Sequence, residues 1–274
     1  MNFQGQHAII TGGSSGIGKA TAQLLASLGA DISIIARTQN KLEAAVAEIE
    51  AARASREQRV IAVAADVADR VQAEEAIKEA IAKISPPDIL ITSAGIAHPG
   101  YFQELPIEIF ERTMAVNYFG SLYCVRAVLP FMEQRQKGHI VLVSSGAGLI
   151  GIYGYTPYSP TKFALRGLAE SLRGELKFAG IYVSIVYPPD TDTPQLVEES
   201  KTKPLETKKI TGTAETWSAA AVAETIVRGI DKKSFSIAPG LEMTLLDRLH
   251  SILAPVLNWY FDRLAASARP SGKE

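Results

Sequence analysis

Cysteine is almost absent: Cys124 is the only one in 274 residues, which excludes an internal disulfide framework and is compatible with a reducing compartment. It falls in an apolar helical pattern, the setting of a buried, inert thiol. An excess of charge of either sign is missing too. Lysine plus arginine number 28 against 29 for aspartate plus glutamate, so there is no basic field for nucleic acid and no acidic solvating tail. Ligands are therefore to be sought in pockets. His7, His98, His139 and His250 stand far apart without ligand spacing to one another or to a cysteine or carboxylate, so no metal site is expected. The opening "MNFQGQHAIITGG" has no basic region ahead of an apolar one and runs straight into a strand pattern. No secretion signal is read there, and the expected location is cytoplasmic.

Apolar residues make up 47% of the chain, ample for a packed core. Short apolar runs, "HAIIT", "DISIIA", "VIAVAA", "DILITS", "HIVLVSS", "YVSIVY" and "FSIA", alternate with segments of 3.6-residue period. That alternation predicts an α/β fold: a doubly wound, Rossmann-type parallel sheet of about seven strands with helices on both faces. In the first helical segment Ile17, Ala20, Thr21, Leu24, Leu25 and Leu28 form the sheet-facing stripe, and Gly29 ends it. One catalytic domain is expected over residues 1–240, with a helical extension over 241–274. Residues 188–216 are polar and rich in proline and threonine, and read as a long excursion that either closes over a ligand or is merely solvated.

Between the first strand and first helix lies "TGGSSGIG". Gly12, Gly16 and Gly18 would let the backbone turn sharply and approach a pyrophosphate, with the helix N-terminus supplying unpaired N–H groups. The spacing is G-x-x-x-G-x-G, so its place between strand and helix carries the nucleotide reading. An acid that would bond a ribose 2′-OH is missing at the end of the second strand, where Ala36 is followed by Arg37. An arginine suits a 2′-phosphate, which favours NADPH over NADH. Asp66, after the third strand, is placed either for an adenine edge or as a helix cap.

"YSPTK", residues 158–162, puts Tyr158 and Lys162 one helical turn apart, with Pro160 in the first turn, where its missing N–H costs nothing. Alone, such a pair is most often an aromatic anchor beside a solvated lysine. Taken with "TGGSSGIG", "SAG" at 93–95, Asn117 in "MAVNYFGS" and "VLVSS" at 141–145, it resembles the ordered motifs of the short-chain dehydrogenase/reductase family over residues 7 to about 190. The resemblance implies a catalytic set of Asn117, Ser145, Tyr158 and Lys162; a serine 13 positions before the tyrosine selects Ser145 over Ser144. It implies NADP(H) contacts at Gly12, Ser14, Ser15, Gly16, Ile17, Gly18, Arg37, Asp66, Val67, Ala94, Gly95, Tyr158, Lys162, Pro188 and Thr191. In the family Lys162 also bonds the nicotinamide ribose and Asn117 holds a water that relays protons. This chain departs from the family at Thr92 and Ser93, where an asparagine is usual; a smaller hydroxyl there would tune the strand end.

The chemistry agrees with the resemblance. A carbonyl that accepts hydride develops negative charge on oxygen, which needs a hydrogen-bond donor, supplied by Ser145 and Tyr158, and then the Tyr158 proton. An ammonium about 4 Å from the phenol is worth roughly 4 kcal/mol at an effective dielectric of 20 but about 1 kcal/mol in water, so the pair matters only when desolvated. The phenol is accordingly expected to be made more acidic by Lys162.

Within the family, "YPPDTDTPQLVEESKTKPLET" and "RGLAESLRGELK" resemble the 3-ketodihydrosphingosine reductases. That implies reduction of a long-chain keto-amine with NADPH. Other readings are an NADPH ketoreductase acting on a ketoacyl, steroid or xenobiotic carbonyl, and a catalytically silent dinucleotide sensor. "GAGLIGIYGYTPY" is apolar and aromatic, as either an alkyl-chain pocket or ordinary core requires. Asp190 and Asp192 meet either a substrate ammonium or local backbone N–H groups. The stretch "LHSILAPVLNWYF" at 249–261 is too short to span a bilayer; it suits an interfacial helix within 241–264, or a helix pair that caps substrate or joins two copies of the chain. A homo-oligomer is the family expectation.

Overall fold

The structure, a computed structural model, describes residues 1–212 and 215–268. The chain begins β1 (His7–Thr11), α1 (Gly16–Ser27), β2 (Asp31–Ala36), α2 (Gln39–Ala51), β3 (Val60–Ala64), α3 (Arg70–Lys83), β4 (Ile89–Thr92). It continues α4 (Ile107–Met114), α5 (Gly120–Arg135), β5 (Gly138–Val143), α6 (Ser159–Leu176), β6 (Ile181–Val186). A third group comprises β7 (Thr191–Asp192), α7 (Pro194–Thr202), α8 (Leu205–Thr211), β8 (Trp217–Ser218), α9 (Ala219–Asp231), β9 (Ser236–Ile237) and α10 (Gly240–Ala268).

Seven strands form one parallel sheet in the order β3-β2-β1-β4-β5-β6-β9. All seven sequence runs are found in it. The chain winds outward from β1 to β3 and then returns to the other side of β1, so a crevice opens at the carboxyl ends of β1 and β4, where such folds bind ligands. Alternate strand residues point to opposite faces. Ile9, Leu90, Ile140 and Ile185 pack with α3, α5 and α6 on one side; Ile10, Ile34, Ile91 and Val141 pack with α1, α2 and α9 on the other. Burial on both faces explains why these strands read as unbroken apolar runs.

Helix α1 rotates relative to the expected stripe. Its buried residues are Gly18, Thr21, Ala22, Leu25 and Ala26, while Ile17, Leu24 and Leu28 are only partly covered at the margin of the same core. Small residues on the inner face bring the helix close to the sheet and to α9. Gly29, at φ +98°, ends it in the left-handed region, as expected.

Residues 188–216 carry α7 and α8 where an irregular excursion is expected; 213–214 lie outside the described residues. The helices form because each has a start signal: Thr193 accepts from Leu196 N–H ahead of Pro194 in the first turn of α7, and Pro204 precedes α8. The extension 241–274 is described to Ala268 and is one 29-residue helix, α10, packed against α8, with Met243 buried against Gly146.

Candidate active site

An open cleft of about 310 Å³ lies at the carboxyl ends of the strands, walled by the glycine loop on one side and α7 on the other. Gly12 and Gly16 line it in left-handed conformations, at φ +70° and +51°. A Cβ on Gly12 would stand 2.7 Å from the Ala94 backbone nitrogen, so only glycine lets the two loops meet at the floor of the cleft. Ser14, Ser15, Ile17, Arg37, Asp66, Val67, Ala94, Gly95, Pro188 and Thr191 all face it, as the sequence anticipates. Gly18 does not: it is buried in α1, where a Cβ would lie 2.5 Å from the Gly12 carbonyl oxygen. Its role is to seat the helix under the loop, the packing job of a third glycine in such turns.

Asp66 faces the cleft but does not cap α3, so the cap reading fails. Its carboxylate lines the cleft, accepts from Ala68 N–H, and pairs with Arg112 at 2.6 Å; Asp69 is the residue that caps α3. The hydrogen bonds from Arg112 and Ala68 outweigh partial burial and hold the Asp66 carboxyl below its ordinary range. Lys41, in the first turn of α2, joins Arg37 on the same wall. Sequence reading missed it, although Arg37-x-x-x-Lys41 spacing at a helix start is a usable signal.

Tyr158 and Lys162 come together as expected, at the start of α6. Pro160 occupies the first turn. The Lys162 ammonium donates to the Val143 carbonyl at 3.0 Å and lies 5.4 Å from the centre of the Tyr158 ring. The backbone of this turn is pinned from below. Ser144 Oγ donates to the Lys162 carbonyl at 3.0 Å, and Thr161 Oγ1 donates to the Tyr158 carbonyl at 2.7 Å. Ser145 faces the cleft and shares a hydrogen bond with the Tyr158 phenol, as does Gln195 from α7.

The expected acidification of the phenol is not found. Burial, reinforced by the Glu199 carboxylate, pushes the Tyr158 hydroxyl above its ordinary range, and the bonds from Ser145 and Gln195 only partly offset this. Burial acts on the lysine as well, lowering its ammonium to about 8, with Glu199 pulling it back up. The Coulomb argument treats only the pair, whereas desolvation of each group is larger than their mutual attraction.

Asn117 stands one layer behind the cleft wall, in a π-helical turn over Ala115–Phe119 that interrupts the α4–α5 run. Its Oδ1 accepts from Ile96 N–H at 2.9 Å, and its amide donates to Ile96 O and Thr161 Oγ1, both at 3.0 Å. The side chain therefore braces α6 and the loop after β4, and its amide protons are already used. Thr92 Oγ1 is buried without a hydrogen-bond partner among the described residues. Of "GAGLIGIYGYTPY", Ala147, Ile152 and Tyr155 face the cleft, while Leu149 joins the main core. Asp190 lines the cleft; Asp192 is exposed on β7 and does not.

Residues 6–204 match the pattern of the family described as short chain dehydrogenase. The chain belongs to that family. Relatives across most of its length are similar to it: 44% identity to the 3-dehydrosphinganine reductase of Danio rerio over 93% of this chain and 77% of that one, and 42% to the 3-ketodihydrosphingosine reductase of Dictyostelium discoideum over 97% and 84%. Among solved structures, a short chain dehydrogenase from Mycobacterium paratuberculosis bound to NAD aligns with TM-score 0.74 at 26% identity, covering 83% of this chain and 91% of that one. As a short chain dehydrogenase the protein is an oxidoreductase, and the family's nicotinamide dinucleotide fits a cleft whose glycine loop leaves no room for a Cβ at position 12.

Proposed function

We propose that this protein reduces the 3-keto group of 3-ketodihydrosphingosine to sphinganine, with NADPH as hydride donor. The observation that carries the reading is the 44% identity, over 93% of the chain, to a reductase named for that ketone. Bound in the cleft, the dinucleotide would supply the hydride to the carbonyl carbon. Tyr158 gives its proton to the carbonyl oxygen, and Ser145 donates a hydrogen bond to the same oxygen. An alkoxide is more basic than a phenolate, so a phenol with a raised pKa still transfers its proton, and burial keeps it loaded throughout the neutral range. The same raised pKa keeps the phenolate, the form that alcohol oxidation would need, scarce at neutral pH. Lys162, positive below about pH 8, would hold the nicotinamide ribose and stabilises the phenolate left behind. Asn117 acts through Thr161 as a positioning residue.

The test is NADPH consumption by the purified protein on a panel of ketones. Turnover of 3-ketodihydrosphingosine should exceed that of ketoacyl thioesters and steroids; preferred turnover of any of the latter would replace the substrate reading.

NADPH is preferred over NADH because Arg37 and Lys41 line the ribose end of the cleft and β2 ends without an acid. Arg37→Ala should weaken NADPH about 10- to 100-fold, the worth of a charge-assisted bond, and NADH little. Equal losses in a fluorescence titration would dissociate Arg37 from the 2′-phosphate.

Helix α10 is part of the same reading. No described helix is long and apolar enough to cross a membrane, yet α10 exposes Leu245, Ile252, Val256 and Trp259. A lipid ketone must be drawn from a bilayer, so this face is assigned to a membrane surface from the cytoplasmic side. Flotation with neutral phospholipid vesicles, lost in Trp259→Glu, is expected; dimerisation by light scattering without flotation would assign the face to a second copy instead.

A further inference from the structure

Glu199, on α7, is 7% exposed and lines the cleft. Neutral groups hold its two oxygens: the Tyr155 hydroxyl donates to Oε2 at 2.8 Å, and the Gln195 amide donates to Oε1 at 2.8 Å. Lys203 Nζ stands 3.9 Å from Glu199 and also 3.9 Å from Asp190 Oδ2, so one ammonium serves two carboxylates. Lys162 is the other cation that Glu199 feels, across the cleft, so on this wall two carboxylates share the single ammonium of Lys203, which sits no closer than 3.9 Å to either. Burying such a charge is strongly disfavoured unless a partner arrives. Asp190 registers the strain: burial raises its carboxyl above the ordinary range, with Lys203 only partly opposing this.

Position gives the missing partner a chemistry. Gln195 bonds both Glu199 and the Tyr158 phenol, so the carboxylate is one side chain away from the hydroxyl that meets the ketone oxygen. The rings of Tyr155 and Tyr158 lie 5.6 Å apart, centre to centre. A group on the carbon next to the carbonyl would come within reach of Glu199 when the carbonyl oxygen is on Tyr158. In an α-amino ketone that group is an ammonium.

We infer that Glu199 is the receptor for the ammonium of an α-amino ketone substrate, and that it selects such ketones over those without the amine; this rests on the sphingoid reading above. When the substrate enters, its ammonium pairs with Glu199 and leaves Lys203 to Asp190, so both carboxylates acquire a cation. Tyr155 and Gln195 orient the receptor.

The test compares kcat/KM, at saturating NADPH, for 3-ketodihydrosphingosine and for the analogue of equal chain length that keeps the ketone and hydroxyl but lacks the amine. The wild-type protein should prefer the amine about 10- to 100-fold, the range of a charge-assisted hydrogen bond. In Glu199→Gln the ratio should fall to near parity. A wild-type ratio near one, or a ratio that survives Glu199→Gln, overturns the inference while leaving the reductase reading intact. Failure of the wild-type protein on both ketones removes the sphingoid reading and the inference with it. Should Glu199→Gln not fold, Lys203→Met decides: with the competing cation gone, the preference for the amine should rise above wild type, and an unchanged or lower ratio is contrary.

Discussion

Replacing Tyr158 with phenylalanine should lower kcat for ketone reduction about 10³-fold, the middle of the range for a lost general acid, with the protein still folded and still binding the dinucleotide. The ring remains to pack against Tyr155, and Ser145 remains to donate to the carbonyl oxygen. Only the proton is missing. Stopped-flow or steady-state turnover at saturating cofactor, with binding followed by fluorescence, separates loss of the acid from loss of the site. Activity within a few-fold of wild type would mean that water or another group protonates the alkoxide.

Lys162→Met should cost about 10²-fold in kcat/KM. An ammonium 5.4 Å from the phenol ring is worth about 3 kcal/mol to a phenolate at an effective dielectric of 20, which converts to that factor. The wild-type pH profile should fall as pH rises through about 8, where the buried ammonium loses its charge, and the variant should lack this limb. The stability effect has the opposite sign. A lysine whose folded pKa is lowered from 10.5 to about 8 destabilises the fold fully below pH 8, and this cost disappears between pH 8 and 10.5, where the unfolded chain binds the extra proton. The penalty at neutral pH is about 3 kcal/mol, at least matching the roughly 1.5–3 kcal/mol of the lost charge-assisted bond to Val143. Lys162→Met should therefore melt no lower than wild type while losing most of its activity, which calorimetry at pH 7 would check.

The fold was legible because parallel strands buried on both faces leave continuous apolar runs, and each of the seven found its place in the sheet. The nucleotide loop and the Tyr158–Lys162 pair were legible because their function depends on local backbone spacing. What was not legible depends on burial or on distant segments meeting. Whether Lys162 acidifies Tyr158 turns on how much water each group loses, and no spacing reports that. Glu199 and Lys203 belong to a polar stretch whose Thr193-Pro194 start signal was available but outweighed by composition, and only the placement of α7 over the cleft brings them to the phenol. Gly18 shows a third case: its type and spacing matched a phosphate contact, but its Cβ vector faces the loop backbone.

The central claim is that this cleft moves a hydride onto the ketone of a sphingoid base. Incubation of the purified protein with 3-ketodihydrosphingosine and NADPH carrying deuterium at the transferable position of the nicotinamide tests it directly, with mass spectrometry of the product. One deuterium on carbon 3 of sphinganine is the expected result. Absence of sphinganine, or sphinganine without the label, would contradict the account.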